Sequence, residues 1–348
     1  MNKKKIASIG CVGILCVIVM VFIIKGTKPV YNNYSTDSKN AKAQKELFLQ
    51  EGKEATIQIE LGEKKYESFD TCETYLVLGT DASGNENAEG DDYRGSMADF
   101  LVLAVFNKSK DTYAWIQLNR DTMTEVQLLD RKGKGEATAE IQLCTAHWYG
   151  GTKEQSCENT VTAVSKMFGG LPIDGYYALG MEKIAKLNRL VGGVTVTIQD
   201  DFSKIDPSMK KGNTVTLNDE QAYIYVHDRY NVGGEDNLSR MSRQREYMKS
   251  LFDTIQKKTK ETPNTINKIY KGLKKDAVTD INGRKISKLT NFVSQGTYLG
   301  MYMLEGKATL GKALGDNVKH VEYHVDEKSK ISILTDIYGL QEGKESNE

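Results

Sequence analysis

Apolar and small side chains run through residues 6–24 without a charge, a pattern that nothing later in the chain repeats. As a helix rising about 1.5 Å per residue, the run reaches roughly 28 Å, close to the hydrocarbon thickness of a bilayer. One membrane-spanning helix is expected there. Lys3, Lys4 and Lys5 precede it, which favours a cytoplasmic tail at residues 1–5 and puts everything after the run outside. No small-x-small cleavage site follows, so an anchor is favoured over a removed signal. Residues 25–70 are rich in Lys, Glu, Asn and Ser and read as an extracytoplasmic stalk, with the folded part starting near Thr74.

The spacing then changes. Short apolar runs at residues 74–79, 100–106 and 113–118 predict buried strands, the last two joined by a polar turn at 107–111. Helical periodicity takes over at 143–149 and again from about Gln155 to the paired glycines Gly169 and Gly170, which supply a left-handed stop. A helix over 181–190 leads through Gly192 and Gly193 into an alternating strand at 194–198. Asn218, Asp219 and Glu220 open a helix that continues to Val226. A long amphipathic helix covers 239–257, with Met241, Tyr247, Met248, Leu251 and Ile255 on its apolar side. Helices at 265–273 and 286–293 and strands near Met301 and Val321 follow. No Pro-rich or Gly/Ser-rich linker divides the series. The expectation is one α/β domain over residues 71–340, a mixed central β-sheet flanked by helices, with a tail at 341–348.

Composition narrows the function classes. With 47 basic and 47 acidic residues among 348, the chain has no net field to draw a nucleic acid, and it shows no basic helix-turn-helix pattern, so nucleic acid is not an expected partner. Of five cysteines, Cys11 and Cys16 fall inside the apolar run, and no pair has the spacing of a zinc site. Cys144 and Cys157 are open to two readings, a disulfide in an exported domain or two buried thiols, and Cys72 stands apart.

Candidate chemistry sits where apolar elements end. Asp81 follows the first strand and Asp99 precedes the second. Arg120 and Asp121 follow the third, within Asn119-Arg120-Asp121-Thr122. Asp228-Arg229 closes one helix, and Arg240, Arg243 and Gln244 share neighbouring positions at the start of the long one. Two carboxylates with several guanidiniums suit a metal-bound pyrophosphate, because Mg²⁺ takes oxygen ligands and the guanidinium fork matches phosphate oxygens. Taken singly, each such residue is more often a cap or a solvated charge. His147, beside Trp148, reads as a packed residue.

Together these segments resemble the LytR-CpsA-Psr cell-envelope family. The resemblance is carried by Leu78-Gly79-Thr80-Asp81, Asn119-Arg120-Asp121-Thr122, Tyr149-Gly150-Gly151, Leu190-Val191-Gly192-Gly193-Val194, Tyr225-Val226-His227-Asp228-Arg229 and Arg240-Met241-Ser242-Arg243-Gln244. The chain departs from the family pattern at Met97 and His227, where the family has arginines. The resemblance implies a membrane-anchored phosphotransferase with an extracytoplasmic catalytic domain. It would move a glycosyl phosphate from a polyprenyl-pyrophosphate-linked glycan to peptidoglycan, with Mg²⁺ as cofactor. On that reading Asp81 and Asp99 hold the metal, Arg120, Arg229, Arg240 and Gln244 hold the phosphates with Arg94 and Arg243 in support, and Asp121 takes a proton or caps the next segment. Asp99→Ala is expected to remove metal-dependent turnover and leave the fold intact. A non-catalytic polyprenyl-pyrophosphate-binding or regulatory envelope protein is the alternative.

Overall fold

The computed structural model describes residues 55–85, 92–135, 137–230, 232, 236–262 and 264–343. The expected membrane helix at 6–24 and the first part of the expected stalk lie outside these residues. Among the described residues no helix is long and apolar enough to cross a membrane.

In chain order the strands and helices begin with β1 (Ile57–Leu61), β2 (Lys64–Ser68), β3 (Cys72–Thr80), β4 (Ala98–Asn107), β5 (Thr112–Leu118), β6 (Met123–Leu128) and β7 (Ala137–Gln142). A 3-10 turn, Leu143–Trp148, leads into α1 (Lys153–Met167), β8 (Gly175–Gly180), α2 (Lys183–Val191), β9 (Val194–Thr197) and β10 (Thr214–Leu217). Then come α3 (Asp219–His227), α4 (Asn237–Glu261), α5 (Thr265–Leu273), β11 (Ala277–Thr279), α6 (Gly283–Gln295) and β12 (Thr297–Met303). The hairpin β13 (Gly306–Gly311) and β14 (His320–Val325), α7 (Glu327–Tyr338) and β15 (Gln341–Glu342) complete the order.

Six strands make the central sheet, in the order β11-β8-β3-β4-β5-β12. β3, β4 and β5 pair antiparallel in sequence, whereas β8 joins β3 and β12 joins β5 in parallel, giving the expected mixed sheet. Its middle strands read as continuous apolar runs because both faces are covered. Tyr75, Val77, Val102, Ala104, Phe106 and Trp115 face α2, α4 and α6 through Leu187, Leu251, Phe252 and Leu289. Leu76, Leu78, Leu101, Leu103, Val105 and Ile116 face α1 and α7 through Val164, Leu334 and Ile337. The alternation along each strand sorts the side chains into these two cores.

The boundaries of the folded part differ from the sequence reading. Residues 57–68 are not stalk, and 341–342 are not tail, because β1, β2 and β15 form a separate sheet. Ile57, Ile59, Leu61 and Tyr66 lie in the same core as Leu334 and Tyr338. The signal was strict alternation over five residues, buried at Ile57, Ile59 and Leu61 and exposed at Gln58 and Glu60, inside a highly charged stretch. β1 is also tied to the end of α1, where the Glu60 amide donates to the carbonyl of Gly169 at 2.9 Å. Gly169 has φ 69°, and a Cβ there would stand 2.0 Å from the Glu60 carbonyl oxygen, so glycine is needed for both the turn and the approach. The β6–β7 hairpin was also unforeseen, and the expected helix at 143–149 is a 3-10 turn.

A fragment beginning at residue 71 should therefore melt well below one beginning at residue 55, since full burial of each lost apolar side chain is worth about 1.5–3 kcal/mol. Scanning calorimetry of the two fragments tests this, and equal midpoints would show that the hairpin adds nothing.

Candidate functional site

The pairing of β3 with β4 is regular from Cys72 to Gly79 and then slips. Gly79 pairs with Phe100 and Thr80 with Ala98, which leaves Asp99 unmatched in a bulge. A bulge bends a strand end and re-aims one side chain, and here that side chain is a carboxylate. Across the slip, the Asp81 amide donates to the Met97 carbonyl at 2.9 Å and the Met97 amide donates to Asp81 Oδ1 at 3.2 Å. Ser83 adds its amide and its hydroxyl to the same oxygen, at 3.0 and 2.6 Å. Asp81 thus fixes the loop end from which Asp99 projects.

At the end of β5 the chain turns sharply. The Thr122 amide donates to the Asn119 carbonyl at 3.1 Å, and the Asp121 amide to Asn119 Oδ1 at 3.0 Å. Asn237, in the first turn of α4, donates its side-chain amide to that same Oδ1 at 2.7 Å. The turn is held from behind by the 3-10 segment, whose Leu143 and Cys144 amides donate to Thr122 and Arg120 at 2.8 and 2.9 Å. The Tyr323 amide of β14 reaches the Asp121 carbonyl at 2.8 Å.

These elements converge on Asp99, which is 5 % exposed. Its Oδ1 takes Nη1 of Arg120, and its Oδ2 takes Nη1 of Arg240 at 2.6 Å. Arg240 is steadied by Asn237 Oδ1, which accepts from Nε and Nη2 at 3.2 and 2.8 Å. Arg120 turns its Nη2 to the sulfurs of Met97 and Cys144, the latter at 3.0 Å. Burial alone would raise the Asp99 carboxyl, but the charges of Arg240 and Arg120 outweigh it and hold the group below the usual carboxylate range. At Asp121 the balance reverses. Burial keeps its carboxyl above the ordinary value against the pull of Arg120, Arg229 and Arg240, and its Oδ2 is buried without a hydrogen-bond partner. Arg120 Nε lies 3.3 Å from the other oxygen of Asp121.

The remaining expected residues divide. Arg229 is half-buried beside this cluster, its charge acts on Asp99 and Asp121, and it has no ion-pair partner among the described residues. Arg243, expected to support the phosphates, is instead committed to protein groups. Its Nη1 pairs with Asp200 at 2.5 Å, its Nε donates to the Tyr225 carbonyl at 2.9 Å, its Nη2 donates to the Asp228 carbonyl, and its plane lies over Phe202. Gln244, also expected at the phosphates, accepts from Gln117 at 3.3 Å and donates to the Val226 carbonyl at 3.2 Å. The physical reason is angular, since a residue three places along a helix sits about 60° round from the first. Arg240 faces the strand edge, while Arg243 faces the end of α3. Arg94 is exposed and bonds the carbonyl of Tyr93, outside the buried cluster.

The cysteines resolve in favour of thiols. Cys144 and Cys157 are both free and buried. Cys144 touches Arg120, its thiol pushed up to about 11 by burial, and Cys157 Sγ lies 3.6 Å from His147 Nε2. His147 is packed, with Nδ1 donating to the Ser96 carbonyl at 3.0 Å, and so braces the segment that carries Met97 and Asp99. Sequence reasoning missed Asn119, Asn237 and Cys144 as partners of the charged residues. The spacing of Asn237 three residues before Arg240 was the one available signal.

The pattern of the LytR_cpsA_psr family matches residues 30–336. "Biofilm regulatory protein A" of Streptococcus mutans is 27 % identical over 244 residues, covering 67 % of this chain and 56 % of its own length, so the chain spans little more than half of that relative. "Polyisoprenyl-teichoic acid–peptidoglycan teichoic acid transferase TagU" of Bacillus cereus is 28 % identical over 252 residues, covering 72 % of this chain and 71 % of its own. In fold the chain is similar to the crystal structure of B. subtilis TagV, with a TM-score of 0.56 at 20 % identity over 77 % of this chain and 96 % of that one. The match runs through the strand ends, the turn and the helix start that gather round Asp99, and with it the chain belongs to the LytR-CpsA-Psr family.

Proposed function

We propose that this protein transfers a glycosyl phosphate from a polyprenyl-pyrophosphate-linked glycan to peptidoglycan. The observation that carries the reading is the buried carboxylate of Asp99 holding two guanidiniums, with a third, Arg229, beside it and unpaired among the described residues. Two guanidiniums on one carboxylate, with the charge of a third acting on it, suit a pyrophosphate. Membership of a family that includes a named teichoic acid transferase supports the glycan and the acceptor. The charge and apolar pattern of residues 3–24 supports a membrane anchor and an extracytoplasmic location for the domain.

Asp81 and Asp99 have the oxygen chemistry that a divalent cation such as Mg²⁺ takes, and on this reading they would hold it. Among the described residues no three His, Cys, Asp or Glu side chains gather as a complete cage. A Mg²⁺ ion takes one or two carboxylates and fills its shell with phosphate oxygens. When bound, it would neutralise charge on the departing phosphate.

The chain's own residues do the rest. Arg229, Arg120 and Arg240 bind the phosphate oxygens and fix the phosphorus for attack. A hydroxyl of the acceptor forms a new O–P bond to the phosphorus that bears the glycan, and the bridging P–O bond breaks, so polyprenyl phosphate leaves with its electron pair. The hydroxyl proton goes to Asp121, whose raised basicity and unclaimed oxygen suit it as base.

Turnover of a synthetic polyprenyl-pyrophosphate glycan with peptidoglycan fragments should release polyprenyl phosphate and label the acceptor, and only with Mg²⁺. Binding without turnover would select a carrier or regulatory role instead. Arg229→Gln should leave the melting temperature near that of the parent while weakening substrate binding about tenfold or more, the loss of one charge-assisted contact; unchanged affinity would remove Arg229 from the site. Asp99→Ala should do more than the sequence suggested. It strands two buried guanidiniums and should cost about 3–5 kcal/mol in urea unfolding, and an unfolding free energy equal to the parent's would show that the triad bears no structural weight.

A further inference from the structure

His227 ends α3 at the border of the cluster. Its ring stacks on Tyr223 one turn earlier, with centroids 4.7 Å apart and planes 18° from parallel. Its Nδ1 lies 3.0 Å from Asp228 Oδ1, and its carbonyl accepts from Arg240 Nη1 at 3.5 Å. The ring is thus fixed on one face and at one nitrogen, by groups that also shape the Asp99 site. The side chain remains 27 % exposed. Nε2 has no hydrogen-bond partner among the described residues, and the ring bonds to neither Asp81 nor Asp99. As imidazolium, its charge acts on Asp99 together with those of Arg240, Arg120 and Arg229.

An imidazole held this way presents one free nitrogen, and the chemistry of that nitrogen depends on the proton count. A carboxylate only accepts, so in the neutral ring Asp228 keeps the hydrogen on Nδ1 and leaves a lone pair on Nε2. A lone pair facing a phosphate oxygen repels it. In the imidazolium, Nε2 carries a hydrogen and the ring carries a charge, so donor and attraction arrive together. Tyr223 stacks on the ring and Asp228 meets it at Nδ1, Arg240 of α4 meets the His227 carbonyl, and the charges of His227 and Arg229 both act on Asp99 of β4. The two carboxylates favour the imidazolium and the two guanidiniums oppose it. A bound pyrophosphate adds negative charge to the first side and tips the balance towards protonation.

We propose that His227 is a proton-gated phosphate ligand: as imidazolium it donates through Nε2 to a phosphate oxygen of the pyrophosphate, so that affinity rises as pH falls through the imidazole range. The proposal rests on the pyrophosphate reading of the site given above. It adds a ligand whose contribution, unlike that of an arginine, is switched by external pH, and it couples binding of the pyrophosphate to binding of a proton.

The test is calorimetry with the full chain in detergent and a short-chain prenyl-pyrophosphoryl-N-acetylglucosamine, whose pyrophosphate is esterified at both ends and keeps a constant charge. Titrations run from about pH 5.5 to about pH 8, across the range in which imidazoles change charge, at one Mg²⁺ concentration and in two buffers of different ionisation enthalpy. The parent should bind about tenfold more tightly at the acid end, as for one charge-assisted hydrogen bond, and should take up a fraction of a proton near pH 7. His227→Arg should bind at the parent's acid-end affinity throughout and take up none. His227→Gln should show the weak affinity throughout. A parent without pH dependence, or a His227→Gln or His227→Arg variant that keeps the parent's slope and proton uptake, would overturn the proposal and point to another titrating group, such as Asp121. If His227→Gln fails to fold by circular dichroism, the comparison of parent and His227→Arg decides alone. Arg229→Gln separates the two levels: if it weakens binding at every pH while the His227 variants keep the slope, only the proposal falls. If it binds like the parent, or if the parent binds nowhere in the range, the pyrophosphate reading falls and takes the proposal with it.

Discussion

Asp99 is the fixed point of this molecule's charged edge. A lone carboxylate buried to that degree would be strongly destabilising, and so would either guanidinium beside it. Each is tolerated because the others are present, with Arg120 on one oxygen and Arg240 on the other. The three residues come from β4, the turn after β5 and the start of α4, so the triad closes only when the sheet has its register and the long helix has docked. Asn119 and Asn237 carry the constraint one step further. A single Oδ1 on Asn119 accepts from the Asp121 amide and from Asn237, and Asn237 in turn accepts from Arg240. Turn and helix are thereby locked to each other by neutral groups as well as charged ones.

The sheet explains why this edge is available for chemistry. Strands β3 and β5 end there and β4 begins there, so the backbone leaves the ladder at three adjacent places. The slip in pairing between Gly79 and Thr80 turns Asp99 out of the regular alternation. Without it, Asp99 would project as an ordinary strand residue. The loop that follows β3 is closed over the slip by Asp81, whose one oxygen collects an amide from each side of the loop as well as the Ser83 hydroxyl.

Much of this was legible in the residues. Apolar runs located β3, β4 and β5, glycine pairs marked helix ends, and the cap before α3 was visible in Asn218. The positions of Asp81, Asp99, Arg120, Asp121, Arg229 and Arg240 at element ends were visible too, and the structure brings Asp99, Arg120, Asp121 and Arg240 into one cluster on which the charge of Arg229 acts. Direction within a helix was less accessible. Arg240, Arg243 and Gln244 look equivalent by spacing, yet Arg243 serves Asp200 and the carbonyls at the end of α3, a choice made by neighbours distant in sequence. The strands β1 and β2 were hidden because their few apolar residues sit among charges, and only the two-residue alternation betrays them. The state of Cys144 was left open for the same reason, since whether it meets another sulfur or a guanidinium depends on the path of α1.

A site built this way carries a consequence for what it can bind. In the resting arrangement the negative charge of Asp99 and the positive charges of Arg120 and Arg240 satisfy each other, so neither sign is offered freely. A simple anion must compete with Asp99 for the guanidiniums, and a simple cation must enter against them. A ligand that presents both signs side by side faces neither obstacle, because phosphate oxygens can take over the guanidiniums while positive charge takes over the carboxylate, and no buried group is left alone at any stage of the exchange. On the proposed reading the triad would discriminate by the combination of charges, and Arg229, which has no ion-pair partner among the described residues, would supply the initial attraction. That logic favours a substrate pyrophosphate accompanied by its cation over either component alone.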